Sequence, residues 1–304
     1  MKRILYLFSI FLIIIFSELS AKITSSVKNI EKQIFELKSG KTVMKISTKG
    51  GRIVSYRYEG RELLTQSTEN ENFGSTLWTA PQSDWGWPPY DVLDNQDYVV
   101  AEYGKGLKLI SKPDPKSGFQ FEKSWEVNKN QSIHIKYVIR NITTSTKSVG
   151  AWSVTRVPCD GFVFFPDGGK GKVPNSNLKL DIQNEGINWI LLNKTPIKEQ
   201  QKLFSTAKEG WLAFSSNGML FVKQFPDTNP ENYSPQQGEV EIYVKENKSY
   251  IELENQGNYQ LLQPGESLSY VENWYLISIP KELNIISGNR ELPKLVRQQI
   301  KSKN

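Results

Sequence analysis

Apolar and polar residues alternate with a period of two along most of this chain. Ile133, Ile135, Tyr137 and Ile139 fall on one side of a strand pattern, and His134, Lys136, Val138 and Arg140 on the other. Val240, Ile242 and Val244 alternate with Glu239, Glu241 and Tyr243, and Ile251 and Leu253 with Tyr250, Glu252 and Glu254. Similar short runs occur near residues 42–47, 52–58, 98–103, 107–112, 120–127, 149–157, 211–215, 218–225 and 267–277. Turn-forming clusters such as Lys49-Gly50-Gly51, Ser216-Asn217-Gly218 and Gln263-Pro264-Gly265 punctuate them. The only helical period beyond the N-terminus lies over Glu291–Ile300. Many short strands with turn signals between them predict an all-β sandwich or barrel. Residues 66–97 and 166–210 lack the pattern and read as long loops, which in a compact domain are functional or mobile.

The N-terminus has a different character. Met1, Lys2 and Arg3 precede an apolar run from Ile4 to Phe16, and small and polar residues lead to Ala21. This is the order of a secretory signal peptide over residues 1–21. The run is short for a bilayer span, so no membrane span is expected after cleavage, and the protein is expected to be exported. One β domain is expected over 22–290, followed by a polar C-terminal tail, 291–304, that carries the helical pattern. Cys159 is the single cysteine, so an exported fold must hold by packing, without an internal disulfide. The net charge of +6 is mild and forms no Arg/Lys stripe with interleaved aromatics, which argues against nucleic acid as a partner. Pro166–Lys172 has the glycines and lysines of a phosphate loop but not the spacing or a following helix, and no cofactor is expected.

Two segments carry candidate chemistry. Between Leu77 and Tyr90 lie Trp78, Trp85 and Trp87, three of the chain's eight tryptophans, together with Gln82, Ser83 and Asp84. Aromatic faces accept the apolar C–H faces of sugar rings while polar side chains take the hydroxyls, and such a mixture is the usual lining of a small-ligand pocket. The same rings could instead cap the sandwich core. The second segment is the hairpin Glu239–Glu254. With Lys245–Lys248 as a four-residue turn, Glu241 would face Glu252 and Glu239 would face Glu254. Opposed like charges are destabilising. The cluster therefore needs water, protons, Lys or Arg from neighbouring strands, or a metal ion with oxygen ligands, and the sequence leaves the metal unknown. His134, the only histidine, falls on the polar side of its strand and reads as a surface residue.

Several stretches resemble the galactose-mutarotase-like (aldose 1-epimerase-like) superfamily. Lys49–Tyr56 with Glu59–Leu64 resembles the opening hairpin of aldose 1-epimerases. Arg140-Asn141-Ile142 followed by Val149–Val157 resembles the central strand pair, and Tyr250–Gly257, Leu262–Ser267 and Trp274-Tyr275-Leu276 resemble the closing strands. The aromatic stretch Trp78–Pro89 is closer to an uncharacterised exported branch. The resemblance implies a β-supersandwich in a single large domain, with a sugar site on a concave sheet face. In true mutarotases a glutamate base takes the anomeric proton and a histidine protonates the ring oxygen. The Leu-Glu-Asn-Gln stretch points to Glu254 as the base, but the central strand carries Trp152 and no histidine.

The expected site is therefore Glu254 as candidate base, with Trp78, Asp84, Trp85, Trp87, Trp152, Arg156 and Glu252 as substrate-binding residues. Three functions fit. One is an exported protein that binds a carbohydrate, or acts on one by an unknown reaction. Another is an aldose 1-epimerase with Glu254 as base and Tyr90 or Asp84 as a non-histidine acid. The last is a structural or interaction module of the cell envelope.

Overall fold

A computed structural model describes residues 27–68, 72–169, 171–193 and 195–301, with Tyr103 described by its backbone alone. The expected signal segment, 1–21, lies outside the described residues. Two antiparallel sheets pack face to face, one of eleven strands and one of ten among the described residues. The first sheet runs, strand by strand, from Val27–Glu31 through Ile34–Ser39, Thr42–Ser47, Arg52–Tyr58, Ser75–Ala80, Lys147–Val157, Ile251–Gln256 and Val240–Val244 to Gln201–Ser205. The second has the long strands Phe119–Val127, Ile133–Asn141 and Ser267–Ser278 near its centre.

The alternation in the sequence becomes the division between core and outer face. Ile133, Ile135, Tyr137 and Ile139 are buried between the sheets, while Lys136 and Arg140 are exposed. Leu77, Ala151, Leu253 and Ile242 point into the same core from the first sheet, opposite Trp125, Phe214, Phe221 and Trp274. Because strand side chains alternate, the neighbours of those core residues must lie on the outer face of the first sheet. These are Trp78, Trp152, Glu252, Glu254 and Glu241. The core thus fixes which side chains meet on the other side.

The core also holds charge. Lys223 is fully buried and donates to Ser153 Oγ, Thr155 Oγ1 and the Leu253 carbonyl. Burial lowers its pKa to about 8. Lys123 donates to the Gly50 carbonyl at 2.7 Å, and burial lowers it to about 7. Gly50 takes a left-handed φ of 66° and a side chain there would strike the Asp94 carbonyl, so the turn needs glycine.

The unpatterned stretches are not loops throughout. Residues 66–97 contain the strand Ser75–Ala80 and the short helix Asp91–Asp94; residues 166–210 contain Ile182–Asn184, Ile187–Leu192 and Gln201–Ser205. Ser75–Ala80 is buried on both faces, so it shows no alternation to read. The segment Glu291–Lys301 is a helix whose Leu292 and Val296 are buried on the outer face of the second sheet, against a cluster that includes Phe164, Trp189 and Trp211.

Candidate functional site

The strands carrying Trp78, Trp152, Glu252 and Glu241 lie side by side. Trp78 pairs with Trp152, Arg156 with Glu252, and Glu241 with Glu254 across the ladders. The hairpin register differs by two residues from the expected one. The connecting turn lies one residue later, with Lys245 N–H donating to the Tyr250 carbonyl and Lys248 in a left-handed conformation. Glu252 therefore faces Tyr243, and Glu254 faces Glu241. A shift of two preserves which face each side chain occupies, so the acidic residues still share a face. Glu239 instead accepts hydrogen bonds from Thr228 N at 2.6 Å and Ala207 N at 2.9 Å. Burial raises its pKa to about 7.

Arginine and lysine supply the charge that the acidic ribbon requires. Arg156 Nε donates to Glu252 Oε1 at 2.8 Å. Lys202, from the edge strand Gln201–Ser205, reaches Glu241 Oε2 at 2.6 Å and Glu254 Oε2 at 3.0 Å, and the Trp152 indole N–H donates to that same Glu254 oxygen at 2.8 Å. Burial, with the carboxylates of Glu241 and Glu252, pushes the Glu254 carboxyl well above the ordinary carboxylate range against the pull of Lys202. Burial works against the Lys202 ammonium too, but Glu254 and Glu241 more than offset it and hold its pKa above the usual lysine value. Among the described residues no group of three or more His, Cys, Asp and Glu is arranged to hold a metal ion.

The aromatic segment folds onto this floor. Pro81, which lacks an N–H, ends the Trp78 strand. A short 3-10 turn over Gln82–Asp84 follows, and Gly86 at φ 68° reverses the chain. Trp85 packs beside Trp78 and Trp152, its N–H donating to the Thr79 carbonyl at 2.9 Å. Trp87 stays out, 60% exposed. Both pack edge-on against Trp78, with centroids 5.8 and 5.9 Å away, and Trp152 meets Trp78 at 5.3 Å. The Arg156 guanidinium lies 5.1 Å from the Trp78 ring and Lys202 Nζ 5.0 Å from the Trp152 ring, both within cation–π range. Asp94 locks Trp78, accepting from its indole N–H at 3.0 Å, from Thr76 Oγ1 at 2.7 Å and from Arg52 at 2.9 Å. Burial opposes the charge on Asp94, but Arg52, aided by the Thr76 hydrogen bond, Arg156 and Trp78, holds its pKa below the usual value.

Above this floor opens a cleft of about 570 Å³. Trp78, Trp87 and Trp152 line one side, Tyr243 and Tyr250 the other, with Glu252 between. The structure thus brings Trp78, Trp87, Trp152 and Glu252 to one cavity. Arg156 lies beneath it, and Trp85, partly exposed, packs against Trp78 and Trp152 without lining it. Asp84 is exposed at the end of its turn and does not line the cleft. Glu254 is fully buried under Trp152 and Lys202, and its Oε1 has no hydrogen-bond partner among the described residues. A hydroxyl could reach Glu254 only if Lys202 or Trp152 moved. His134 sits on the other sheet beside Asn273.

Sequence reasoning missed Lys202 and Asp94. Lys202 lies in a short strand inside an unpatterned stretch, and only the pairing of that strand with Val240–Val244 brings it to the glutamates. Asp94 gave no signal, since it ends a short helix and its partners are a hydroxyl, an indole and an arginine from two strands distant in the sequence.

The fold has counterparts among solved structures. A galactose mutarotase related enzyme from Lactobacillus acidophilus aligns with TM-score 0.59 at 13% identity, covering 83% of this chain and 99% of that one. A galactose mutarotase-like protein from Clostridium acetobutylicum aligns with TM-score 0.53 at 12% identity, covering 84% and 98%. A TPR-domain containing protein from Parabacteroides distasonis aligns with TM-score 0.58 at 16% identity over 84% of this chain, which spans 49% of that protein. At these identities the likeness is one of fold. A search of curated proteins gives no match. The model of DUF4380, a domain of unknown function, matches residues 35–277. The chain therefore belongs to the DUF4380 family, and its fold is galactose-mutarotase-like.

Proposed function

We propose that this is an exported carbohydrate-binding protein whose ligand lies in the cleft over Trp78, Trp87 and Trp152. The observation that carries this reading is the convergence of five aromatic side chains, Trp78, Trp87, Trp152, Tyr243 and Tyr250, with hydrogen-bonding groups in one open cavity. Aromatic walls with a few placed polar groups suit a ligand that has apolar faces and hydroxyl edges. The charged N-terminus, apolar run and Ala21 support export. Titration calorimetry of the purified protein against a panel of monosaccharides and oligosaccharides tests the assignment. Binding of at least one sugar, weakened by Trp87→Ala, is expected; no heat from any sugar overturns it.

Binding without epimerase chemistry is the better reading of Glu254. Its carboxyl is enclosed, bonded to Trp152 and Lys202, and shifted toward the protonated form, whereas a general base must reach the proton it removes. Polarimetry of freshly dissolved glucose and galactose is expected to show the rate of buffer alone; a faster rate abolished by Glu254→Gln would establish the epimerase instead.

A further inference from the structure

The dimensions and polarity of the cleft narrow the ligand class. Its lining comes from five adjacent strands of the first sheet, those of Trp78, Trp152, Glu252, Tyr243 and Gln201. With neighbouring strands about 4.8 Å apart, four spacings give a floor of roughly 19 Å, several times the width of one pyranose ring. The cleft does not end at the Gln201 strand. Asn177 and Gln201 also line a second groove of about 530 Å³, whose walls include Leu178, Ile197 and Leu191. Leu191 is 54% exposed and projects from the second sheet. Asn177 and Gln201 thus form a saddle between two troughs.

The charged groups facing the cleft are already engaged. Lys202 is held by Glu241 and Glu254, Glu252 by Arg156, and Lys245 by Glu246 at 3.1 Å. Several neutral groups are engaged as well. Asn72 donates to the Tyr250 hydroxyl, the Tyr243 hydroxyl to Gln200, and Asn177 is tied to the backbone at Gln200 and Lys202. Gln82 at the tryptophan end has a side-chain amide with no hydrogen bond among the described residues; so has Gln201, which pairs with Val244 and therefore points away from the Lys202 face, toward the second groove. An uncommitted amide offers both a donor and an acceptor to a hydroxyl and has no charge to balance. Within this cleft an anionic ligand would have to compete with those ion pairs, while Lys179, Asp181 and Lys248 line the second groove.

Resting on the carbohydrate reading above, we propose that the ligand is an extended, uncharged oligosaccharide, running from Trp87 along the cleft and over the Asn177–Gln201 saddle to Leu191. Trp87, the exposed ring at that end, supplies stacking, and the saddle and second groove add contacts only when the chain is long enough to reach them. Affinity should therefore rise with length and then level off.

Calorimetry on the full chain tests this with neutral β-linked gluco-, xylo- and manno-oligosaccharides and α-linked malto-oligosaccharides, each from the monosaccharide to the hexasaccharide, and with an oligogalacturonate series as the anionic counterpart. In at least one neutral series the hexasaccharide is expected to bind about tenfold or more tighter than its monosaccharide. Leu191→Asp and Gln201→Ala should each reduce that ratio, and circular dichroism checks that both variants fold. A monosaccharide that binds as tightly as its hexamer, or an oligogalacturonate series that binds more tightly than every neutral one, overturns this inference and leaves the sugar site standing. Binding of no saccharide at all overturns both.

Discussion

Each sheet carries an aromatic cluster on its outer face, and the two have opposite fates. On the second sheet Phe164 stacks on Trp189 at 4.6 Å and meets Trp211 at 5.8 Å. The helix Glu291–Lys301 lies over that cluster and buries Leu292 and Val296 completely. On the first sheet Trp78, Trp85 and Trp152 form a cluster of similar make-up, but what lies beside it is charge: Arg156, Lys202 and the three glutamates. Among the described residues no helix covers it, and Trp87 stands open to solvent. Aromatic density therefore does not mark a site by itself. It becomes a core where a helix with an apolar stripe seals it, and the floor of a cleft where buried rings such as Trp78 and Trp152 lie among charged groups and the outermost ring, Trp87, stays open.

The comparison can be broken at its charged end. Lys202→Met leaves Glu241 and Glu254 buried without their cation and should cost about 3–5 kcal/mol in urea unfolding. The loss should be smaller at pH 5 than at pH 8, because burial already favours the protonated Glu254 carboxyl. A cost below about 1 kcal/mol, the range of an exposed pair, would show the floor to be solvated. At the sealed end, Leu292→Ala should cost about 2–4 kcal/mol and increase binding of an apolar dye, since it opens the helix contact over Trp211. An unchanged midpoint would mean the helix is not the seal.

Beneath both faces lies the buried lysine Lys223, with its pKa lowered to about 8 from the ordinary 10.5. Between those values the unfolded chain binds more protons than the folded one, so this group makes stability rise with pH over that window. Lys123 acts in the same direction from about pH 7. Unfolding free energies at pH 8 and pH 10 should rise less for Lys223→Met than for the parent protein, whatever the variant's absolute stability; equal rises would mean that Lys223 does not titrate there. The smallest stability effect is expected for Trp87→Ala, within about 0.5 kcal/mol because the side chain is exposed, although sugar affinity should fall by about tenfold or more. A large drop in melting temperature with unchanged affinity would assign the ring to scaffolding instead.

Much of the sandwich could be read from the chain because half-buried strands write their burial as alternation. Ile133–Asn141, Thr42–Ser47 and Phe119–Val127 are of this kind. Ser75–Ala80 and Ile187–Leu192 carry buried residues on both faces and leave no such trace. Of the site, the indoles and the acidic ribbon stood out by composition, and strand parity placed Glu241, Glu252 and Glu254 on one face even though the turn began one residue later than expected. Which rings would be walls and which supports was not legible. Trp85 and Trp87 are two residues apart and differ only in how the chain turns at Gly86.

The sequence by itself determined the strand-rich architecture, the sidedness of each patterned strand and the presence of a tryptophan segment and a glutamate ribbon, because these follow from local periodicity and residue type. Only the tertiary structure decided that the two segments share a cavity, that Lys202 and Arg156 supply the ribbon's counter-charge, and that Glu254 lies sealed beneath Trp152. Those facts depend on which strands become neighbours, and partners such as Lys202 and Glu254, 52 residues apart, are joined by sheet topology that no local pattern encodes.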